Sequence, residues 1–298
     1  MIIGVDLGNY YIKSSEGIKF ESRISKNNYV LTGKAMKVVY NNTQYLIEEG
    51  NFDININKLD KEDMLISLAT IIGMSAKECN IDLGIGLPVN FYKAYKDDLI
   101  KMIRDEGDFN ISINGNDIKF FINKCFVIPE GVGVYYSLSN EVLNKINGEL
   151  LIIDIGGKTT DMCIIDNNVT IKKPVTLPIG FLNLYNDIAN VINSKYPDLC
   201  VKTEDVKYIL DNGLSSFGNH IDISFVNDIR NMMVYNIINN VKLQYEDYKR
   251  KTIILCGGGF SLENEFRKYI PNIIVNKDIF ANAKGFKNYV IGIGNRYA

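Results

Sequence analysis

The sequence has one histidine, His220, in 298 residues. That excludes histidine-built metal sites and most histidine-dependent triads. His220 follows Phe217-Gly218-Asn219, a loop-like stretch, and reads as an ordinary surface side chain. Cysteine is also sparse. Cys79, Cys125, Cys163, Cys200 and Cys256 are scattered, odd in number and lack a Cys-x-x-Cys pair. They offer no metal site and fit reduced, mostly buried thiols of a cytosolic protein. No apolar run approaches the length of a membrane span. The apolar start reaches Asp6 with no basic stretch before it, so no secretory leader is expected. Net charge is −2, which leaves no global basic field for direct DNA binding. Nor is there a low-complexity segment or a linker between independent modules.

What is present centres on Leu151-Ile152-Ile153-Asp154-Ile155-Gly156-Gly157-Lys158-Thr159-Thr160-Asp161. An apolar run of strand formers ends in an acid, turns on glycines and threonines, and leaves through Met162 to Ile165. The spacing predicts a hairpin whose tip approaches something closely. Gly156 and Gly157 remove the Cβ barrier there, and successive N–H groups in such a turn make an anion-binding concavity. Asp154 beside a phosphate would repel it unless a divalent cation lay between them, which implies Mg²⁺. The chain begins with the same design: Ile2-Ile3-Gly4-Val5-Asp6-Leu7-Gly8-Asn9-Tyr10-Tyr11-Ile12-Lys13. Aligned on the two acids, Gly8 falls on Gly156 and Lys13 on Asp161. Two copies of one motif argue for two related domains that clasp one phosphate-bearing ligand between their hairpins.

The stretches between follow in order. Ile18–Tyr29 and Met36–Ile47 alternate as short strands, with a turn at Asn41-Asn42. A helix follows with Met64, Leu65, Leu68, Ile71 and Ile72 inward, capped by Asp60 and favoured by Glu62 and Asp63. Ile81–Pro88 reads as a strand, Tyr95–Glu106 as a helix, and Ile111–Ile128 as a hairpin turning at Asn114-Gly115-Asn116. Glu130 sits where a strand stops at Pro129 and a helix begins near Gly131, to run through Ile146. Locally it reads as a helix-start carboxylate; next to the two hairpins it reads as a carboxylate that orients water. Val169–Leu177 suggests a further hairpin, then a helix from Phe181. Thr203 caps a short helix that ends at Gly213. The longest helical pattern runs from Ile221 to about Lys249, with Met232 and Met233 in its stripe and a solvated cluster Glu246–Lys251 at its exit. Thr252–Cys256, Gly257-Gly258-Gly259 and a Ser261-capped helix form a strand, glycine loop and helix start suited to an α-phosphate and ribose. Ala281-Asn282-Ala283-Lys284-Gly285-Phe286 opens the last helix.

Together, Asp6-x-Gly8…Lys13, Pro129-Glu130-Gly131, Asp154–Asp161 and Gly257–Gly259 resemble the signature of the actin, Hsp70 and sugar-kinase superfamily. The Asp-x-Gly-Asn start, the Pro-Glu-Gly connector and Ala281–Phe286 look like its ParM branch, bacterial actin-like ATPases that segregate plasmids. The resemblance implies an α/β fold of two actin-like (ribonuclease H-like) domains, each with a mixed five-stranded sheet, and a nucleotide cleft between them. Domain I would span 1–148, completed by a C-terminal helix at about 279–298, and domain II 149–278. It also implies ATP, or GTP, with Mg²⁺ held through waters by Asp6 and Asp154. Gly8, Asn9, Lys13 and Gly156, Gly157, Lys158 and Thr159 would contact the β- and γ-phosphates. Glu130 would position the attacking water with Asp154 assisting, and Gly257, Gly258 and Gly259 would hold the α-phosphate and ribose. Expected partners are further copies in a filament and a DNA-binding adaptor at a plasmid centromere, in the cytoplasm, with no direct nucleic acid or membrane contact. Asn9 and Tyr10 depart from the small hydroxylated residues usual in that first turn. A small-molecule kinase is the rival reading, since the start also resembles type III pantothenate kinases, although their Gly-x-Asp-Arg segment is missing. A non-segregating actin-like scaffold is a further alternative, whereas an Hsp70-type chaperone would carry a separate substrate domain that is not expected here.

Overall fold

The computed structural model describes residues 1–26, 35–52, 63–166 and 168–297, with side chains to residue 293. Asp60 and Glu62 lie outside the described residues. In the first half, β1 (Ile2–Leu7), β2 (Tyr11–Ser14) and β3 (Lys19–Glu21) form an antiparallel meander. β4 (Arg23–Ser25), β5 (Met36–Tyr40) and β6 (Thr43–Phe52) precede α1 (Met64–Ser75). β7 (Asn80–Leu87), α2 (Tyr92–Glu106), β8 (Asp108–Ile113) and β9 (Asn116–Pro129) complete a sheet ordered β3-β2-β1-β7-β9-β8-β5-β6-β4. The turns are where the sequence puts them. Asn41, Asn42, Asn114 and Gly115 all take positive φ, the backbone that two-residue hairpin loops demand.

In the second half, β10 (Leu150–Ile155), β11 (Thr160–Ile165) and β12 (Ile171–Leu177) repeat the meander. After α5 (Phe181–Lys195), α6 (Thr203–Asn212), the hairpin β13 (Leu214–Ser216) and β14 (Asn219–Ile221), and α7 (Val226–Gln244), come β15 (Thr252–Gly257), α8 (Glu263–Arg267) and β16 (Ile274–Val275). The sheet order is β12-β11-β10-β15-β16. β1 runs parallel to β7, and β7 to β9, as β10 does to β15 and β15 to β16. Each half therefore holds the expected mixed five-stranded unit. The first sheet is longer because the β8–β9 hairpin and the strands around residues 23–52 extend it to nine strands.

Several local expectations change. The helix after Glu130 breaks into α3 (Val132–Ser137) and α4 (Asn140–Leu143), because Leu138 is extended and Ser139 Oγ caps the next turn by accepting from Val142 N. Residues 169–177 supply one strand, not a hairpin: Asp166 Oδ1 accepts from Asn168 N and Thr170 N, and that turn sends β12 back along β11. The cap at α6 is Asp205, whose Oδ2 accepts from Lys202 N, so Thr203 is the first helical residue. The longest helical pattern begins at Val226, since residues 219–221 pair in β14, and Met232 is exposed. Ser261 donates to Gly258 O within a 3₁₀ turn rather than capping a helix. Lys251 is covered, with ion pairs to Glu149 at 2.6 Å and Asp247 at 2.9 Å, so the cluster at 246–251 is not wholly solvated. Only Cys163 and Cys256 are buried; Cys79 and Cys200 are exposed. His220 is an exposed residue of β14, as expected. Among the described residues no helix is long and apolar enough to cross a membrane.

Three cores result. One lies under the first sheet and α1, a second under β10, β11, α5 and α7. The third joins the halves: Ile128, Val132 and Val134 meet Leu150, Ile152, Ile254 and Cys256 around Phe286. Phe286 belongs to α9 (Ala281–Tyr297), the chain's last helix, which packs on β1, β7 and α3. Small residues admit it. A Cβ on Gly86 or Gly133 would overlap the Phe286 ring, and one on Gly285 would overlap the Gly133 carbonyl oxygen. Backbone against backbone cannot yield as a flexible side chain can. Gly285→Ala is therefore expected to cost more than about 3 kcal/mol. Gly292→Ala, on the same helix with open space at its Cβ, should gain about 0.5–1 kcal/mol. Urea denaturation of the two variants checks both, and equal midpoints would contradict the packing argument.

Candidate functional site

A cavity of about 330 Å³ opens between the halves. Its floor is set by strand register. On the first meander Asp6 pairs directly with Lys13; on the second, Asp154 pairs with Asp161. The correspondence read from the repeated motif is thus the correspondence in space. Side chains of paired residues share a sheet face, so each hairpin presents two charged groups together. Asp6, Asp154, Asp161 and Glu130 are all buried and all line the cavity.

Four carboxylates face one well-covered ammonium. Lys13 Nζ lies 2.9 Å from Asp6 Oδ2 and donates to Ile279 O at 3.0 Å. Burial pushes Lys13 down, but the charge and hydrogen bond of Asp6, with Asp154 and Glu130, outweigh it and raise its pKa. Asp154 is pushed up to about 6, first by burial and then by Glu130, against the hydrogen bond Asn282 Nδ2 gives its Oδ2 at 2.8 Å. Asp161 is pushed up by burial and Glu130, although the hydroxyls of Thr159 (3.0 Å) and Thr176 (2.6 Å) donate to it. An arrangement of this sign repels free anions and attracts a cation.

The hairpin tips are built for close approach. Gly156 N donates to Thr159 O at 2.8 Å and closes the turn. Its carbonyl and that of Gly157 accept from Phe181 N and Leu182 N at the start of α5, at 3.1 and 2.7 Å. Across a planar trans peptide the next N–H points the opposite way, so the amides of Gly157 and Lys158 face away from α5. Gly157 abuts the other tip: a Cβ there would lie 2.8 Å from Tyr10 N and Cβ. Tyr10 turns out of its tip, stacks on Phe52 at 4.9 Å and meets Tyr185 of α5 edge-on at 5.8 Å. That placement is the physical use of the departure at this turn. The ring is an apolar contact between the halves rather than a phosphate ligand.

Of the residues singled out by sequence, Asp6, Gly8, Asn9, Lys13, Glu130, Asp154, Gly156, Gly157, Thr159, Gly257 and Gly258 line one cavity. Lys158 and Gly259 do not. Gly259 is buried against Leu255 and Ile155, which fill the space of its missing side chain. Residues without an assigned role also line it: Asp161, Tyr185, Lys207, Asp278 and Asn282. Asp161 could have been found, since it occupies the position of Lys13 in the repeat. Asn282 belongs to the Ala281–Phe286 segment already singled out, but its contact with Asp154, 128 residues away, could not be read.

The cavity suits a hydrated divalent cation better than a bare one. Among the described residues no three acids or thiols are grouped tightly enough to ligate a metal directly. Asn9 Oδ1 is buried without a hydrogen-bond partner. Acceptors in excess call for donors, and the waters around Mg²⁺ are donors.

A raised carboxyl pKa means the folded state binds the proton more tightly than the unfolded chain. Stability is then fully present at low pH and falls as pH rises from about 4 through about 6. Asp154→Asn should stabilise the ligand-free protein at pH 7.5 by about 1–3 kcal/mol, with the gain gone below about pH 4. Denaturant titrations across that range test the sign; a destabilised variant at pH 7.5 would refute it.

Comparison with known proteins agrees with this architecture. Residues 4–133 match the family model described as the N-terminal domain of actin-like proteins, and residues 152–268 match that of the C-terminal domain of the MreB-like archaeal actin homologue. No curated protein matches the chain by sequence. Among solved structures, the subunit of a 15-stranded ParM filament from Clostridium botulinum is 22% identical, with TM-score 0.81, over 98% of this chain and 99% of that one. An archaeal actin homologue in complex with ADP is 18% identical, with TM-score 0.84 and the same coverage. The Alp12 filament protein is 18% identical, with TM-score 0.68, over 100% and 99%. With each half matched by an actin-type model and the whole chain overlaid by such folds, the protein belongs to the actin-like proteins.

Proposed function

We propose that the chain binds a Mg²⁺-bound nucleoside triphosphate, ATP before GTP, between its halves, hydrolyses it and assembles into filaments. The observation that carries this reading is the matched register of Asp6/Lys13 and Asp154/Asp161 around one cavity. The working units are 1–148 completed by α9, and 149–278, a division supported by the packing of α9 on the first sheet.

In this reading Asp6 and Asp154 hold the cation through its water shell. When bound, the cation neutralises charge on the phosphate oxygens. Lys13 and the tip segments Gly8–Asn9 and Gly156–Thr159 take the β- and γ-phosphates. Gly257 and Gly258 take the α-phosphate and ribose, while Gly259 supports them by packing inward. Glu130, held at the end of β9 by its N–H to Leu87 O at 2.8 Å, orients the attacking water with Asp154. Because the parts come from two halves, only a closed cleft aligns them, so assembly that fixes the angle between halves switches hydrolysis on. A cytoplasmic role in plasmid segregation, with DNA held through an adaptor, fits the near-neutral charge.

Light scattering and phosphate release, with ATP or GTP and Mg²⁺, test this. The parent should scatter and hydrolyse above a critical concentration. Glu130→Ala should still scatter but hydrolyse roughly 100-fold more slowly. Phosphate transfer to a small acceptor without scattering would favour a kinase instead.

A further inference from the structure

The segment leading into α9 touches both acid-bearing hairpins. Lys13 on β2 donates to Ile279 O, and three residues later Asn282 donates to Asp154 on β10. The segment is fixed from within: Asn276 Oδ1 accepts from Asp278 N at 3.0 Å, and Asp278 Oδ1 from Phe280 N at 2.9 Å. Downstream, the contact of Gly285 with Gly133 leaves α9 no room to slide. Asn282 Oδ1 is buried and without a hydrogen-bond partner, beside Gly133, where a Cβ would lie 2.9 Å away. A buried amide oxygen left unsatisfied is unfavourable. The residue is therefore placed for what its Nδ2 does.

Resting on the nucleotide-cleft reading above, the geometry points to Asn282 as a positioning residue for Asp154. It is a clasp that ties the aim of this carboxylate in the second half to the seat of α9 on the first. An amide suits the task. It donates to one carboxylate oxygen, Oδ2, so it fixes the rotation of the carboxylate, and it adds no charge to a site already rich in acid. Its carrier, α9, rests on β1 and β7, whereas Asp154 rides on β10. The bond therefore spans the two halves, and a change in the angle between them would release Asp154. Asn282 acts through Asp154 and not on the nucleotide.

The test compares Asn282→Leu, which keeps the shape and removes the donor, with Asn282→Ala. Asn288→Ala serves as control; its amide bonds Tyr136 O at 2.9 Å on the same helix, away from the cleft. Hydrogen exchange is read on the ligand-free protein, and kcat and KM on the protein with Mg²⁺ and ATP. Both Asn282 variants should exchange roughly tenfold faster at residues 154–160 and 276–284 and nowhere else. Their kcat should fall roughly 10–100-fold with KM little changed, while Asn288→Ala matches the parent. Parent-like exchange in Asn282→Leu, or faster exchange spread over the whole chain, would overturn the proposal. If the parent itself fails to hydrolyse ATP, the nucleotide reading falls, but the exchange pattern still decides whether Asn282 clasps Asp154.

Discussion

Everything in this molecule is arranged around an electrostatic imbalance: in one cleft the carboxylates of Asp6, Glu130, Asp154, Asp161 and Asp278 outnumber the ammonium groups of Lys13, Lys19 and Lys207. Burying charge is unfavourable unless it is paired and hydrogen-bonded. Here the acids outnumber the cations. Lys13 answers Asp6, hydroxyls answer Asp161, and an amide answers Asp154. The remaining negative charge raises the pKa of Asp154 and Asp161. A protein selected for stability alone would have removed it. Strained or unsatisfied groups of this kind gather where a ligand supplies what is missing.

The surrounding fold is what keeps the acids together. Each hairpin lies inside its sheet rather than at an edge, and its first strand, β1 or β10, is buried along nearly its whole length. Each is flanked by a parallel strand on one side and an antiparallel one on the other. Register within a meander is rigid, since a slip of one residue would reverse every side chain. The tips then meet through Gly157 and Tyr10, and the third core, centred on Phe286, locks the two sheets through α3 and α9. The aromatic contact of Tyr10 with Tyr185 adds an apolar link between halves at the cavity wall.

Hairpins closed by residues that take positive φ are more legible than helices, although 169–177 gives one strand and the hairpin ending at 219–221 carries no such signal read from the sequence. A hairpin announces itself locally, by alternation and by residues that tolerate positive φ, as at Asn114-Gly115. Apolar spacing at 3.6 residues is satisfied equally by a surface stripe, so Met232 fits the pattern of α7 and yet faces solvent. In the same way, the run from Gly131 to Ile146 has helical spacing throughout. Its break at Leu138 follows from Ser139 finding a better use as a cap. The triple glycine read as one phosphate loop divides in space: Gly257 and Gly258 line the cavity while Gly259 packs against the core.

The sequence by itself determined the two-fold design, the acids at the strand ends, the glycines that let the tips approach, and the place of Glu130 at a strand-to-helix junction. These are local consequences of side-chain period and backbone sterics, so they are written within a dozen residues. Only the tertiary structure decided which groups meet: Lys13 with the carbonyl of Ile279, Asn282 with Asp154, and Tyr10 with Tyr185, with Glu130 near enough to push up both Asp154 and Asp161. Those pairings depend on how α9 seats against the first sheet and how two buried sheets share a core. That is a matter of packing between segments far apart in the chain, which no local pattern encodes.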